Sequence, residues 1–283
     1  MDSLFVRKLE LVRRGQFSTK FNTFILRVLV MGERKNFAKR LRLNETLIGT
    51  LVSLPAPDIC ELLGSIGYDW LFIDTEHGAF NPQQAQSMLQ AAYPTPCLIR
   101  VPSGEEIWLK KALDIGAAGV IVPQVHNATQ AKKIIANCKY SPAGKRGIGI
   151  GRAHKYGIDF ERYLKNANDE TAIVLQAESS EAVENIDKIV TVKGVDAILV
   201  GPYDLSASLG KAGEIDHPIV QSAINRIIDS CQSANISMGI FGVDSAAVLP
   251  YKERGFNLLT VGTDTLFLIN SAKETFLKMK TEK

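Results

Sequence analysis

The sequence of 283 residues has few cysteines, few aromatic residues and no long apolar run. Its four cysteines are widely spaced and form no CxxC pair, so neither a disulfide framework nor a zinc site is indicated. No apolar run approaches the roughly 20 residues that a membrane helix needs, which excludes a membrane-spanning chain. Hydrophobic residues make up 46% and charged residues 22%, which is typical of a globular domain and excludes a disordered chain.

The formal net charge of +3 is unevenly distributed. Residues 1–47 hold 11 Lys/Arg against 4 Asp/Glu, whereas the rest of the chain is mildly acidic. The body therefore lacks the basic face that nucleic-acid binding needs, and no nucleic-acid partner is expected. We divide the chain into a basic extension with a short leading helix, 1–44, and a folded domain, 45–283. Residues 1–30 are basic and rich in Ser and Thr, which fits either an organellar transit peptide or a dispensable extension of a cytoplasmic protein.

From residue 47 onward, short apolar runs alternate with amphipathic helical windows. Strands are predicted at 48–54, 70–75, 97–102, 119–124, 172–178, 197–202, 237–242 and 258–263. Helical windows are predicted at 81–92, 104–115, 127–138, 180–190, 217–235, 244–254 and 264–279. Eight mostly apolar strands separated by helices are typical of an α/β fold, the closed parallel (β/α)8 TIM barrel. An open doubly wound sheet is the competing architecture, but no glycine fingerprint follows the first strand.

Polar side chains stand at the ends of the predicted strands, where the chemistry of such a barrel gathers. They are Asp74, Glu76 and His77, then Arg100, Gln124, Gln176 with Glu178, and the Gly201–Asp204 turn. Each has a structural alternative, since Asp204 or Glu178 could cap a helix and Arg100 could form a barrel-lining ion pair. Their joint occurrence at neighbouring strand ends favours a functional site.

These residue types suit one kind of chemistry. Two carboxylates with water make an oxygen-rich site that fits Mg²⁺ or Mn²⁺ better than zinc. A guanidinium and a divalent ion together stabilise an enolate oxygen, and His77 held by Asp74 is a candidate base. No lysine stands at a predicted strand end, so a Schiff-base route lacks its nucleophile.

Several motifs resemble the HpcH/HpaI aldolase and citrate lyase family. They are WLFIDTEH (70–77), LIRVP (98–102), LDIGAAGVIVPQV (113–125), YSPAGKRGIGIG (140–151), VLQAES (174–179), VDAILVGPYDLSASLG (195–210) and LLTVGTD (258–264). Within that family the chain is most similar to hydroxy-oxo-acid aldolases such as 4-hydroxy-2-oxoheptanedioate and 2-dehydro-3-deoxyglucarate aldolase. Two departures from the family pattern are Thr75, where many aldolases have glycine, and Tyr203, which replaces a small residue.

The resemblance implies a class II aldolase that cleaves a 4-hydroxy-2-oxo acid to pyruvate and an aldehyde, or runs the reverse. It implies a divalent metal, Mg²⁺ or Mn²⁺ with Co²⁺ as a further candidate, bound by Glu178 and Asp204. Arg100 would contact the keto or enolate oxygen of pyruvate. His77, with Asp74, would move the proton of the 4-hydroxyl group.

Further roles follow from the same resemblance. Gln176 would line the pyruvate site, and the backbone around Gly201 and Pro202 would hold the carboxylate of pyruvate. Asp114 matches a position that closes the pocket of a neighbouring subunit. Members of the family assemble as hexamers and exchange their C-terminal helix, here 264–279, between subunits.

Two other functions stay open at this point. One is a carbon–carbon lyase acting on a CoA thioester, such as citramalyl-CoA or malyl-CoA, although the segment IDTEH (73–77) argues against it. The other is a barrel without catalytic activity that binds a small acid.

Overall fold

The computed structural model describes residues 36–281. Eight parallel strands close into one barrel in their order along the chain, which confirms the predicted (β/α)8 fold and rules out an open sheet. The strands are β1 (Leu47–Val52), β2 (Trp70–Asp74), β3 (Cys97–Arg100), β4 (Gly119–Val122), β5 (Ala172–Ala177), β6 (Ala197–Val200), β7 (Ser237–Gly242) and β8 (Leu258–Thr263). Each of them begins and ends within two residues of its predicted bounds.

Helices surround the barrel and connect its strands. They are α1 (Phe37–Arg42), α2 (Pro57–Ile66), α3 (Pro82–Ala91), α4 (Glu106–Asp114), α5 (Ala128–Cys138), α6 (Phe160–Glu170), α7 (Ser180–Glu184), α8 (Ile186–Val190), α9 (Pro202–Ser208), α10 (Pro218–Ala234), α11 (Ser245–Glu253) and α12 (Asp264–Thr281). A 3₁₀ segment, Arg152–Gly157, lies in the long loop between α5 and α6. None of the helices between residues 36 and 281 has the length and apolarity needed to cross a membrane.

The strands alternate between the barrel interior and the layer that packs against the helices. In β5, Val174 belongs to the interior cluster, whereas Ile173 and Leu175 pack in the outer layer. The same alternation points Gln176 inward, with Glu178 following on the same face beyond the strand end. The alternation therefore brings two polar side chains to the carboxyl-terminal mouth of the barrel, as the spacing predicts.

Helix α1 covers the opposite end of the barrel, where the strands begin. Phe37 and Leu41 are buried among inward-pointing residues, and the rings of Phe37 and Trp70 have their centroids 5.9 Å apart. This helix falls inside the predicted segment 1–44, and the domain boundary at residue 44 stays a prediction. The predicted targeting stretch, 1–30, lies outside the described residues.

Candidate active site

An acid and a base meet where the second and third strands end. Asp74 ends β2 and Arg100 ends β3, and because they are register partners their side chains lie side by side in the barrel. Arg100 donates from Nε and Nη2 to the two carboxylate oxygens of Asp74 at 2.8 and 2.7 Å. Burial opposes the charge of Arg100, but the hydrogen bonds and charge of Asp74 outweigh it and raise the pKa of the guanidinium. This bidentate ion pair fixes the guanidinium plane.

The loop after β2 carries Thr75, Glu76 and His77 past this ion pair. Thr75 Oγ1 donates to the carbonyl of Arg100 at 2.6 Å, so the threonine ties the loop to β3. Glu76 Oε2 lies 3.2 Å from Arg100 Nε and 3.7 Å from His77 Nε2. The predicted pairing of the His77 ring with Asp74 is not present, because both oxygens of Asp74 face Arg100. His77 contacts Asp74 only through its backbone N–H, at 3.4 Å.

Glu178 follows β5 into the mouth of the barrel and is buried. Its Oε1 accepts a hydrogen bond from the backbone N–H of Gln124 at 2.8 Å, and its Oε2 accepts one from Nε2 of Gln176. Gln124 has a φ of +57°, a left-handed conformation that is strained for a residue other than glycine. Glu178 does not cap the following helix, since the side chain of Ser179 caps α7.

The wall beside Glu178 is shaped for a close approach. Gly201 has no side chain, and a Cβ at this position would lie 2.9 Å from Glu178 Oε2 and 3.2 Å from Gln176 Nε2. The Oε1 atom of Gln176 is buried without a hydrogen-bond partner among the described residues. A buried amide oxygen without a partner is unfavourable, so this wall is incomplete without a ligand.

Asp204 lies in the first turn of α9, across the mouth from the ion pair. Helix α9 begins at Pro202 with Gly201 as its N-cap, so the predicted alternative in which Asp204 caps a helix starting at Leu205 is wrong. Asp204 is exposed. Within residues 36–281 its carboxylate has no hydrogen bond or ion pair.

These side chains surround a cavity of about 170 Å³ at the carboxyl-terminal ends of the strands. Its lining combines apolar residues from the barrel interior with the predicted site residues His77, Arg100, Gln176, Gly201, Pro202 and Asp204. Arg100 is thus both a partner in a barrel-lining ion pair and a wall of the cavity. The exposed ring of Tyr203 lies at the same mouth.

Asp114 is not part of this cavity. It ends α4, near the start of β4, and its Oδ1 accepts a hydrogen bond from Nη2 of the buried Arg146 at 2.7 Å. Since the helices run back from the mouth, this carboxylate lies toward the other end of its own barrel. A role in the pocket of a neighbouring subunit, which the resemblance implies, stays a prediction.

The negative charges at the mouth affect one another. Burial raises the pKa of Glu178, and the charge of Asp204 raises it further, whereas the hydrogen bonds from Gln124 and Gln176 lower it. Within the described residues no three His, Cys, Asp or Glu side chains form a cluster that could hold a metal ion. A cation at this mouth would therefore have two carboxylates of the chain as ligands, Glu178 and Asp204, with water or substrate completing its shell.

Two residues of this mouth receive no role from sequence reasoning. Gln124 and Glu76 are visible there as polar groups at strand ends, but their contacts are not. The left-handed turn at Gln124 and the position of the Glu76 carboxylate depend on how β4, β3 and β2 lie side by side.

Comparison with known proteins identifies the family. The model of the HpcH/HpaI aldolase/citrate lyase family matches residues 48–271. The chain belongs to this family. The hydroxypyruvate/pyruvate aldolase of Pseudomonas aeruginosa is 37% identical over 242 residues, which cover 84% of this chain and 90% of the relative. A 4-hydroxy-2-oxo-heptane-1,7-dioate aldolase of Salmonella heidelberg (strain SL476) is 36% identical over 251 residues, covering 87% of this chain and 95% of the relative.

A solved structure agrees. An HpcH/HpaI aldolase/citrate lyase family protein from Burkholderia cenocepacia J2315 superposes with a TM-score of 0.84 at 34% identity, covering 87% of this chain and all of that one. The predicted family is confirmed, and so is the predicted class of enzyme. The chain is a carbon–carbon lyase of the aldolase type.

Proposed function

We propose that this enzyme is a divalent-metal-dependent class II aldolase that cleaves a 4-hydroxy-2-oxo acid to pyruvate and an aldehyde, or joins the two. One observation carries the proposal. The buried carboxylate of Glu178 is held by Gln124 and Gln176 in the wall of a mouth that Arg100 and Asp204 also line. The names of the two relatives, both aldolases of oxo acids, support a substrate of this class.

Glu178 and Asp204 would hold the metal ion. Their oxygen donors fit Mg²⁺ or Mn²⁺, with Co²⁺ as a further candidate, and the unpartnered Oε1 of Gln176 adds an oxygen to the same wall. When bound, the cation supplies positive charge that stabilises an enolate oxygen. The carboxylates themselves support this fit, because each raises the energy of the other's charge until a cation is present.

Arg100 would bind the keto oxygen of the substrate. Two of its nitrogens are occupied by Asp74, whereas Nη1 has no hydrogen-bond partner among residues 36–281 and is available to a ligand. The guanidinium keeps its charge in this buried place and therefore stabilises the negative oxygen of the pyruvate enolate. Gln176 would line the pyruvate site, and the backbone around Gly201 and Pro202 would hold the carboxylate of pyruvate.

His77 would move the proton. In the cleavage direction it takes the proton of the 4-hydroxyl group through a water molecule, the C3–C4 bond breaks, and the aldehyde forms. The electron pair of that bond becomes the enolate of pyruvate, which then receives a proton at C3. The ring is well placed for exchange with solvent, since 69% of the side chain is exposed at the cavity.

We further propose a homo-oligomer, a hexamer, in the cytoplasm. Helix α12 supports an assembly in which this helix is exchanged, because it exposes several large apolar side chains: Phe267, Leu268, Ile269, Phe276 and Met279. Asp114 would then complete a pocket of the neighbouring subunit. The four cysteines are free and buried, which fits a reducing compartment.

Proton NMR of pyruvate in D₂O tests the proposed function without knowledge of the aldehyde. The enzyme is first treated with a chelator, and Mg²⁺ or Mn²⁺ is then restored. We expect loss of the methyl signal only when metal is present, because exchange at C3 requires the enolate. Absence of exchange with every metal would contradict the proposal and direct the search to CoA thioesters or to another oxo acid.

A further inference from the structure

The candidate base His77 needs a partner that orients its ring and stabilises its charged form. Asp74, the nearer acid along the predicted strand, is not available for this. Its Oδ1 accepts hydrogen bonds from Arg100 Nε and from the backbone N–H groups of Glu76 and His77, at 2.8, 3.2 and 3.4 Å. Its Oδ2 accepts from Arg100 Nη2 at 2.7 Å. Both oxygens are therefore used to fix Arg100 and the start of the loop.

Glu76 is placed where Asp74 is not. Its Oε2 lies 3.7 Å from Nε2 of His77, an ion-pair distance, and no other carboxylate in the described part of the chain comes within 4 Å of that ring. The same oxygen lies 3.2 Å from Arg100 Nε, so the carboxylate is anchored from its other side. The side chain of Glu76 is 16% exposed, against 69% for His77. The acid is thus a fixed group beside a mobile ring.

We propose that Glu76 is the positioning residue of His77, whereas Asp74 positions Arg100. This assignment rests on the proposed aldolase function and divides its proton-transfer half from its enolate-binding half. The negative charge of Glu76 favours the imidazolium that forms when His77 accepts a proton. It also orients Nε2 toward the loop, which leaves Nδ1 to face the substrate.

The other charges around this pair are mixed. Arg100 of β3 opposes a positive charge on His77, whereas Asp74 of β2 and Glu178 beyond β5 favour it from further away. Arg100 is already neutralised by its bidentate bond to Asp74. The closest uncompensated charge facing the ring is therefore that of Glu76.

Two reactions of the same mouth separate the two roles. Exchange of the methyl protons of pyruvate requires a base that removes a proton from C3. Decarboxylation of oxaloacetate requires no base, because loss of CO₂ leaves the electron pair of the broken bond in the same pyruvate enolate, which then takes a proton from solvent. Both reactions need the enolate to be stabilised, but only the first needs His77.

The test is the ratio of the two rates in E76Q and D74N, measured with Mg²⁺ or Mn²⁺ present. We expect E76Q to lower exchange about 10- to 100-fold more than it lowers decarboxylation, as fits the partial loss of a general base. We expect D74N to lower both rates to a similar extent, since Arg100 loses its anchor. In E76Q the acid limb of the pH profile of exchange should also move to lower pH, and E76D, which keeps the charge, should restore part of the exchange.

Equal losses of both rates in E76Q, with the pH profile unchanged, would overturn the proposal. So would a selective loss of exchange in D74N, which would make Asp74 the partner of His77. If E76Q does not fold, as judged by circular dichroism, the comparison of E76D with D74N decides in the same way. A wild-type enzyme that catalyses neither reaction with any metal contradicts the proposed function itself, a result distinct from every outcome above.

Discussion

The two ends of the barrel satisfy their polar groups differently. Where the strands begin, Arg42 Nε donates to Asp196 at 2.6 Å, and Asp196 in turn accepts the backbone N–H of Ile173 at 2.8 Å. Where the strands end, Asp204 has no partner among residues 36–281 and Gln176 has a buried oxygen without one. One end is complete within the single chain, and the other is completed by a ligand. This is the division between stability and catalysis expected for the two faces of such a barrel.

Charge sharpens the contrast. The mouth gathers Asp74, Glu76, Glu178 and Asp204 against the single guanidinium of Arg100. Burial raises the pKa of Glu76 and of Glu178, and neighbouring carboxylates raise both further. A mouth that holds this much negative charge is unfavourable in the isolated chain and favourable once a cation and an anionic substrate bind.

The largest expected effect comes from removing one charge at the mouth. We expect E178Q to lower metal-dependent exchange of pyruvate protons by about 10³-fold or more, since the proposed site loses one of two carboxylates. The unfolding free energy should stay equal or rise by about 1 kcal/mol, because a buried charge is replaced by an amide. NMR exchange and urea denaturation measure the two quantities.

A matched control is E181Q, the same change at an exposed position in α7. It should leave both quantities within error of the wild type. Survival of exchange in E178Q would show that the proposed metal site is wrong.

The opposite end should respond in the opposite way. We expect F37A to lower the unfolding free energy by about 3–5 kcal/mol, because Phe37 is 2% exposed and packs on Trp70. The rate of exchange per folded molecule should not change. Urea denaturation of F37A and of L43A, whose side chain is 63% exposed just after α1, gives the comparison. A loss in F37A no larger than that in L43A would mean that α1 adds little to the barrel.

Periodicity predicts the fold well because each unit carries its own signal. The strands are apolar along their length, and the alternation in β5 places Gln176 and Glu178 on one face without any knowledge of their neighbours. The closed barrel then follows from counting eight such units. The short helix α9 starts three residues earlier than expected, because Pro202 occupies its first position and Gly201 its cap.

The contacts between strand ends carry no such signal. Asp74 and His77 are three residues apart, which makes them natural partners in the sequence. The register of β2 against β3 instead places Asp74 directly opposite Arg100, and a bidentate ion pair outweighs a contact with an exposed ring. The acid left for His77 is Glu76, a choice that only the pairing of two strands decides.

The smallest effect concerns a charge at the complete end. Lys139 Nζ donates to the carbonyls of Asn168 and Thr171 at 2.5 and 2.9 Å. Burial, assisted by Arg42, lowers the pKa of Lys139 below its ordinary value of 10.5, although Asp196 and Asp169 oppose the shift. Between the lowered pKa and 10.5 the unfolded chain binds more protons than the folded one, so the unfolding free energy rises with pH there.

We therefore expect the stability of the wild type relative to K139M to increase as the pH is raised toward 10.5. The upper limit is about 1.4 kcal/mol for each pH unit of the window. Urea denaturation between pH 7 and 10 measures the difference, and contributions of the buried thiols cancel because both proteins contain them. K132M removes the same charge from the exposed face of α5 and reports the effect of net charge alone. A difference that falls with pH would mean that the carbonyls and Asp196 stabilise the ammonium more than burial opposes it.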